Sequence, residues 1–253
     1  MSDDKIKNLI GEMEDMTMYV DMVMVIDATQ DSPFVSNNYF WQDLFAQIEN
    51  LFNCVTVNRR DNIICRIKIM YFRDFYFDGK YAFGESPFFD ISKDKDKSLE
   101  YIKTLKAAGG GDIPESGLEA LWLAMNADYI EHYRYRKIIT LFTNAPAHPL
   151  EDYEYMLHEG KKQNCCAPVN YPGQIPHCIG DFYNSWETWC GGEVGHLCIV
   201  APQEYPWPDM EVELPCVQLF DVAQFDCNKL SYNAVKDAIE SLIYGYGIAC
   251  FAS

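Results

Sequence analysis

The chain has 253 residues and a formal net charge of −18. That length allows one large domain with a core that needs no disulfide staples. The acidity argues against nucleic acid and anionic membranes as partners, because both would be repelled. No stretch approaches the ~18 apolar residues of a membrane span, and residues 1–15 lack the basic-then-apolar order of a secretory signal. The expectation is a cytoplasmic protein whose ten cysteines are reduced thiols.

Residues 1–17 read as an acidic lead-in. Residues 19–26 (YVDMVMVI) are nearly all apolar, as a strand covered on both faces would be, and the run stops at Asp27. Trp41, Leu44, Phe45, Ile48, Leu51 and Phe52 share one helical stripe. Residues 63–72 (IICRIKIMYF) predict a second strand, and the aromatic, turn-rich residues 75–84 an antiparallel edge hairpin. Residues 92–106 read as a short charged helix with Leu99, Ile102 and Leu105 inward.

The glycine-rich AAGGGDIPESG then opens a helix carrying Leu118, Leu121, Trp122 and Met125. Residues 137–143 (KIITLFT) predict a strand, and residues 151–162 a helix. Residues 164–193 read as an irregular, cysteine-rich insertion with a helix near 181–189. Two more strands are expected at 196–201 and 216–222, and a last helix near 231–246, capped by Ser231. Strands that alternate with helices make a parallel sheet covered on both faces. The fold class expected is a single Rossmann-like three-layer α/β/α sandwich over residues 1–253, with a mostly parallel central sheet. Ligands of such sheets bind beyond the carboxyl ends of the strands.

Three polar segments fall at that edge: VMVIDATQDSPF with Asp27, Thr29 and Asp31, GGGDIPESGLEAL with Asp112 and Ser116, and IITLFTNAPAH with Asn144. A strand ending in D-x-[S/T]-x-S, a GGGD-x-PE loop and a later strand ending in T-D-A-P-x-H resemble the metal-ion-dependent adhesion site of von Willebrand factor A domains. The core of the resemblance covers about residues 19–146. The stretches ESPFF, APAHPLE and AP…PW are similar, more loosely, to bacterial stand-alone intracellular A domains. The resemblance implies one divalent cation, Mg²⁺ or alternatively Mn²⁺ or Ca²⁺, held by Asp27, Thr29, Asp31, Asp112, Ser116 and Asn144. It further implies a protein-binding module within a multi-protein bacterial assembly, in which a partner Asp or Glu takes the open coordination position. Two positions depart from the pattern: Asp31 stands where the second hydroxyl is usual, and Asn144 where the third-loop acid is usual.

The chemistry of the residues points the same way. A hard cation wants oxygen ligands near octahedral geometry, residues two apart in an extended turn share a face, and three glycines let a backbone approach closely. Neither a general base nor a nucleophile stands out, so a non-enzymatic role is expected. The alternatives are a metal-assisted phosphoester hydrolase and a metal-free scaffold. Cys165, Cys166, His177, Cys178 and Cys190 have poor spacing for zinc and read as buried thiols, and His148 as a structural hydrogen-bonder.

Overall fold

The computed structural model describes residues 17–35, 38–59, 63–111, 113–150, 171, 174–191 and 194–224, with only the backbone of 47, 51–59 and 224. Residues 1–16 of the lead-in, Asp112, the helices expected at 151–162 and 231–246, and Cys165 and Cys166 lie outside the described residues.

The central strand β1 (Met18–Asp27) is buried from Val20 to its end, which is why its sequence shows no polar alternation. It pairs in parallel with β2 (Ile63–Phe72) on one side and β5 (Tyr135–Phe142) on the other. β6 (Gly195–Ala201) and β7 (Val217–Asp221) extend the sheet beyond β5, also in parallel. The short strands β3 (Phe83–Glu85) and β4 (Phe89–Asp90) both pair antiparallel to β2. The described order is β3-β2-β1-β5-β6-β7, with β4 beside β2.

Helices cover both faces. On one, Trp41, Leu44, Phe45 and Ile48 of α1 (Asn38–Arg59) and Ile102 of α2 (Ile91–Thr104) pack on Met22, Met24 and Ile26 of β1 and Ile67 and Ile69 of β2. On the other, Leu118 and Leu121 of α3 (Gly117–Met125), Phe182 and Trp186 of α4 (Ile179–Cys190), and Trp207 and Met210 of α5 (Trp207–Glu213) pack on Val23, Val25, Leu141 and Ile199. This is the expected Rossmann-like three-layer architecture.

Two expectations change. The described part of the supposed insertion is largely α4, the helix between β5 and its parallel neighbour β6. Its inward residues are Phe182, Trp186 and Cys190, so it belongs to the core. Helix α5 is an addition, seven residues beginning Trp207-Pro208, and its first residue is fully buried. Residues 75–82 are turns with a 3₁₀ segment at Gly79–Tyr81, so of the expected hairpin only residues 83 and 84 enter the antiparallel edge, as part of β3.

Candidate functional site at the carboxyl edge of the sheet

The chain leaves β1 toward α1 on one face and reaches β5 from α3 on the other. The carboxyl ends of β1 and β5 therefore flank a topological switch point, where open α/β sheets form a crevice. A cleft of about 480 Å³ opens there, lined by Thr29, Gln30, Asp31, Gly109, Gly110, Gly111, Ile113, Glu115, Asn144 and Ala145.

Asp27, the last residue of β1, is the buried base of this edge. Its Oδ1 accepts from Thr29 N at 2.9 Å and Thr29 Oγ1 at 2.7 Å, and its Oδ2 accepts from Thr143 Oγ1 at 2.8 Å. Burial pushes the carboxyl above its ordinary 3.8, while the bonds from Thr29, Thr143 and the Asn144 amide pull it back. Because the Thr29 hydroxyl spends its hydrogen on Asp27, its oxygen lone pairs remain for a positive ligand.

Backbone pairing joins the first loop to the glycine loop: Gln30 N donates to Gly109 O at 3.2 Å and Ala108 N to Ala28 O at 3.0 Å. Arg73 ties the same loops from below. Its Nε donates to Ala28 O, Nη1 to Tyr81 O and Nη2 to Lys106 O, at 2.7–3.0 Å. Asn144 Nδ2 donates to Asp31 O at 3.4 Å, linking the third loop to the first.

Gly109 and Gly110 both have φ of +73°, which side-chain-bearing residues rarely adopt. A Cβ on Gly110 would stand 2.7 Å from Glu115 Oε1 and 3.2 Å from Thr29 Cβ. The missing Cβ thus leaves room between an acid and a hydroxyl-bearing residue. Glu115 is itself fixed by its backbone, its N–H donating to Pro146 O at 3.0 Å and its carbonyl accepting from His148 N at 2.9 Å.

Of the six residues expected to surround a cation, Thr29, Asp31 and Asn144 line the cleft. Asp27 lies beneath it, and Asp112 is outside the described residues. Ser116 departs from the expectation: it is fully buried, and its Oγ accepts from Phe75 N at 3.0 Å and donates to Asp74 Oδ1 at 3.4 Å. Its hydroxyl is committed to the end of β2, away from the cleft lining. Glu115, which sequence reasoning passed over, takes a place in that lining. The signal was present in the P-E pair of GGGDIPE, an acid at the entry to α3.

Among the described residues, no group of three or more His, Cys, Asp or Glu could hold a metal. The cleft instead offers a mixed oxygen set: the Thr29 hydroxyl, the Asp31 and Glu115 carboxylates and the Asn144 amide. That donor chemistry fits a hard divalent cation such as Mg²⁺ or Ca²⁺. The zinc alternative finds no support among described residues, since Cys190 is buried in the core and Cys178 is exposed. His148 forms a hydrogen bond to Asp74 Oδ2 at 3.3 Å. No described helix is long and apolar enough to cross a membrane.

Fold and cleft together define an α/β protein of Rossmann-like architecture with an oxygen-lined crevice at its switch point. No protein-family model and no curated protein matches the sequence. Solved structures do match. The pilus adhesin SpaC from Lactobacillus rhamnosus GG superposes with a TM-score of 0.55 at 10% identity, over 88% of this chain and 31% of the adhesin. Proximal thread matrix protein 1 from the mussel byssus, solved with zinc in its MIDAS motif, matches with a TM-score of 0.48 at 12% identity, over 90% of this chain and 48% of that one. The chain thus spans about a third of the adhesin and about half of the mussel protein. At this identity the likeness to the adhesin is one of fold.

Proposed function

We propose that the protein is a divalent-cation-dependent protein-binding module of the von Willebrand factor A type. Thr29, Asp31, Glu115 and Asn144 would hold the ion, with Asp27 beneath them and Asp112 as a further candidate. The bound ion supplies an open coordination position for a partner carboxylate. The observation that carries this reading is the convergence of oxygen-bearing side chains from three distant loops on one cleft, with no Lys or Arg in its lining. The described lining also supplies no Lys or Arg to help an ion neutralise a phosphate, which favours binding over phosphoester hydrolysis.

The rim suits a protein partner. Ile113 is 75% exposed at the cleft, and the half-exposed Phe77 ring lies against Gly111 in its wall. Apolar and aromatic residues beside a polar centre are the usual make-up of a recognition surface. We further propose an intracellular setting, in a multi-protein assembly, and a partner surface that is neutral or basic around its carboxylate. The chain's charge of −18 would repel an acidic one.

Calorimetric titration with Mg²⁺, Mn²⁺ and Ca²⁺ tests the reading. Saturable binding that weakens at least about tenfold in Thr29→Val and in Glu115→Gln supports it. Absence of both heat and thermal shift for every cation overturns it. A pull-down with and without chelator, compared with Asp27→Ala, then tests whether the ion recruits protein.

A further inference from the structure

We propose that Asp74, which does not line the cleft, is the positioning residue from which both cleft walls are suspended. It lies two residues past the end of β2 and is fully buried. Its carboxylate ties its own turn to two distant segments. Oδ1 accepts from Tyr76 N at 2.6 Å and from Ser116 Oγ at 3.4 Å, and Oδ2 is 3.3 Å from His148 Nε2. Ser116 follows Glu115 directly, and the His148 amide donates to Glu115 O. Asp74 therefore clamps both of the residues that carry Glu115 in the cleft.

The other wall hangs from the backbone of the same residue. Asp74 N donates to Asp78 Oδ2 at 3.1 Å, and that oxygen accepts from Gly110 N at 2.9 Å. Gly110 faces Glu115 and Thr29 across the space a Cβ would fill. One residue thus fixes the acid through its side chain and the glycine turn through its amide. Removing the carboxylate takes away the acceptor of the Tyr76 amide and the Ser116 hydroxyl and the contact with His148 Nε2. The chain of contacts loosens the Glu115 wall first, because the amide route to Gly110 is retained.

Hydrogen exchange and Mn²⁺ titration of Asp74→Ala, Asp74→Asn and Ser116→Ala test this. In Asp74→Ala the amides of Glu115, Ser116 and His148 should exchange about tenfold faster, while those of Val23 and Leu141 in the sheet stay at their native rates. Ser116→Ala should loosen Glu115 and leave Gly110 protected. Asp74→Asn, which keeps an acceptor for Tyr76 N and Ser116, should restore protection to within about threefold. Mn²⁺ affinity should fall about tenfold in Asp74→Ala and recover in Asp74→Asn. Native exchange at Glu115 and His148 in both Asp74→Ala and Ser116→Ala overturns the proposal, as does loss of protection spread evenly over the sheet. The affinity arm rests on the cation reading above, but the exchange arm does not. A wild type that binds no Mn²⁺ defeats that reading, and the exchange pattern still decides the role of Asp74.

Discussion

Thr143 donates its hydroxyl hydrogen to Asp27 Oδ2 at 2.8 Å, joining the carboxyl ends of β1 and β5 across 116 positions of sequence. The same hydroxyl accepts from Ala145 N at 3.1 Å and so shapes the third loop as well. Thr143→Val keeps the shape and removes both bonds. A buried carboxylate oxygen and a buried amide lose their partner, so the variant should be destabilised by about 1–3 kcal/mol. Urea unfolding followed by tryptophan fluorescence measures it, and an unchanged midpoint would show the bond to be energetically idle.

The raised pKa of Asp27 gives stability a definite pH slope. A carboxyl held above its ordinary 3.8 binds its proton more tightly folded than unfolded. Its contribution is therefore whole below that value and lost as pH climbs through the folded one. Asp27→Asn carries no charge at any pH. In chelator, its melting temperature relative to wild type should rise as pH climbs above about 4. A bound cation favours the ionised form, so in excess Mg²⁺ wild type should instead gain on the variant over the same range. Parallel melting curves in chelator would refute the slope.

Gly110→Ala should damage the cleft out of proportion to its size. Alanine resists a φ of +73°, and its Cβ would press on Glu115 Oε1 at 2.7 Å. The strain should cost about 1–2 kcal/mol, measurable by thermal melting. Any cation affinity should drop further, because Glu115 must move. Wild-type stability and affinity together would contradict the crowding.

At the opposite end of β1, Arg66 grips the buried Asp21 by Nε at 2.7 Å and Nη2 at 2.6 Å, and Ile130 N donates to the same carboxylate at 2.7 Å. Arg66→Ala leaves that carboxylate buried without its countercharge. The loss should be about 3 kcal/mol in denaturant melts, with the cleft's cation affinity unchanged because the pair lies at the far edge of the sheet.

Thiol reactivity should sort by burial. Cys178 is exposed, whereas burial pushes the Cys198 thiol up to about 12 and that of Cys65 well above its ordinary 9.0. Of these three, iodoacetamide at neutral pH should label Cys178 in the native protein and the other two only after unfolding. Peptide mapping by mass spectrometry distinguishes them.

The sheet was readable because its central strands are buried on both faces: 63–72 is apolar enough to mark its own ends, and Asp27 stops β1 where the run of hydrophobic residues stops. Helix α4 was legible near 181–189, but its place in the core was not, because Phe182, Trp186 and Cys190 sit in a stretch whose Pro, Gly and Cys content reads as an insertion. Thr29, Asp31 and Asn144 were legible from motif spacing. The turn of the Ser116 hydroxyl was not, since its partners Phe75 and Asp74 come from a strand end 41 and 42 positions away. Asp74 gave no local signal at all. Its role exists only once β2, the start of α3 and the loop after β5 are brought together.

The guanidinium of Arg73 grips carbonyls from three separate turns, and that has a bearing on redesign. A fork of donors in one rigid plane cannot follow one turn without dragging the other two. Lysine, with a single ammonium on a flexible stem, would release at least one of them. Anyone transplanting a new recognition loop into this scaffold must supply a carbonyl at the matching height, or accept that the neighbouring turns will drift with the graft.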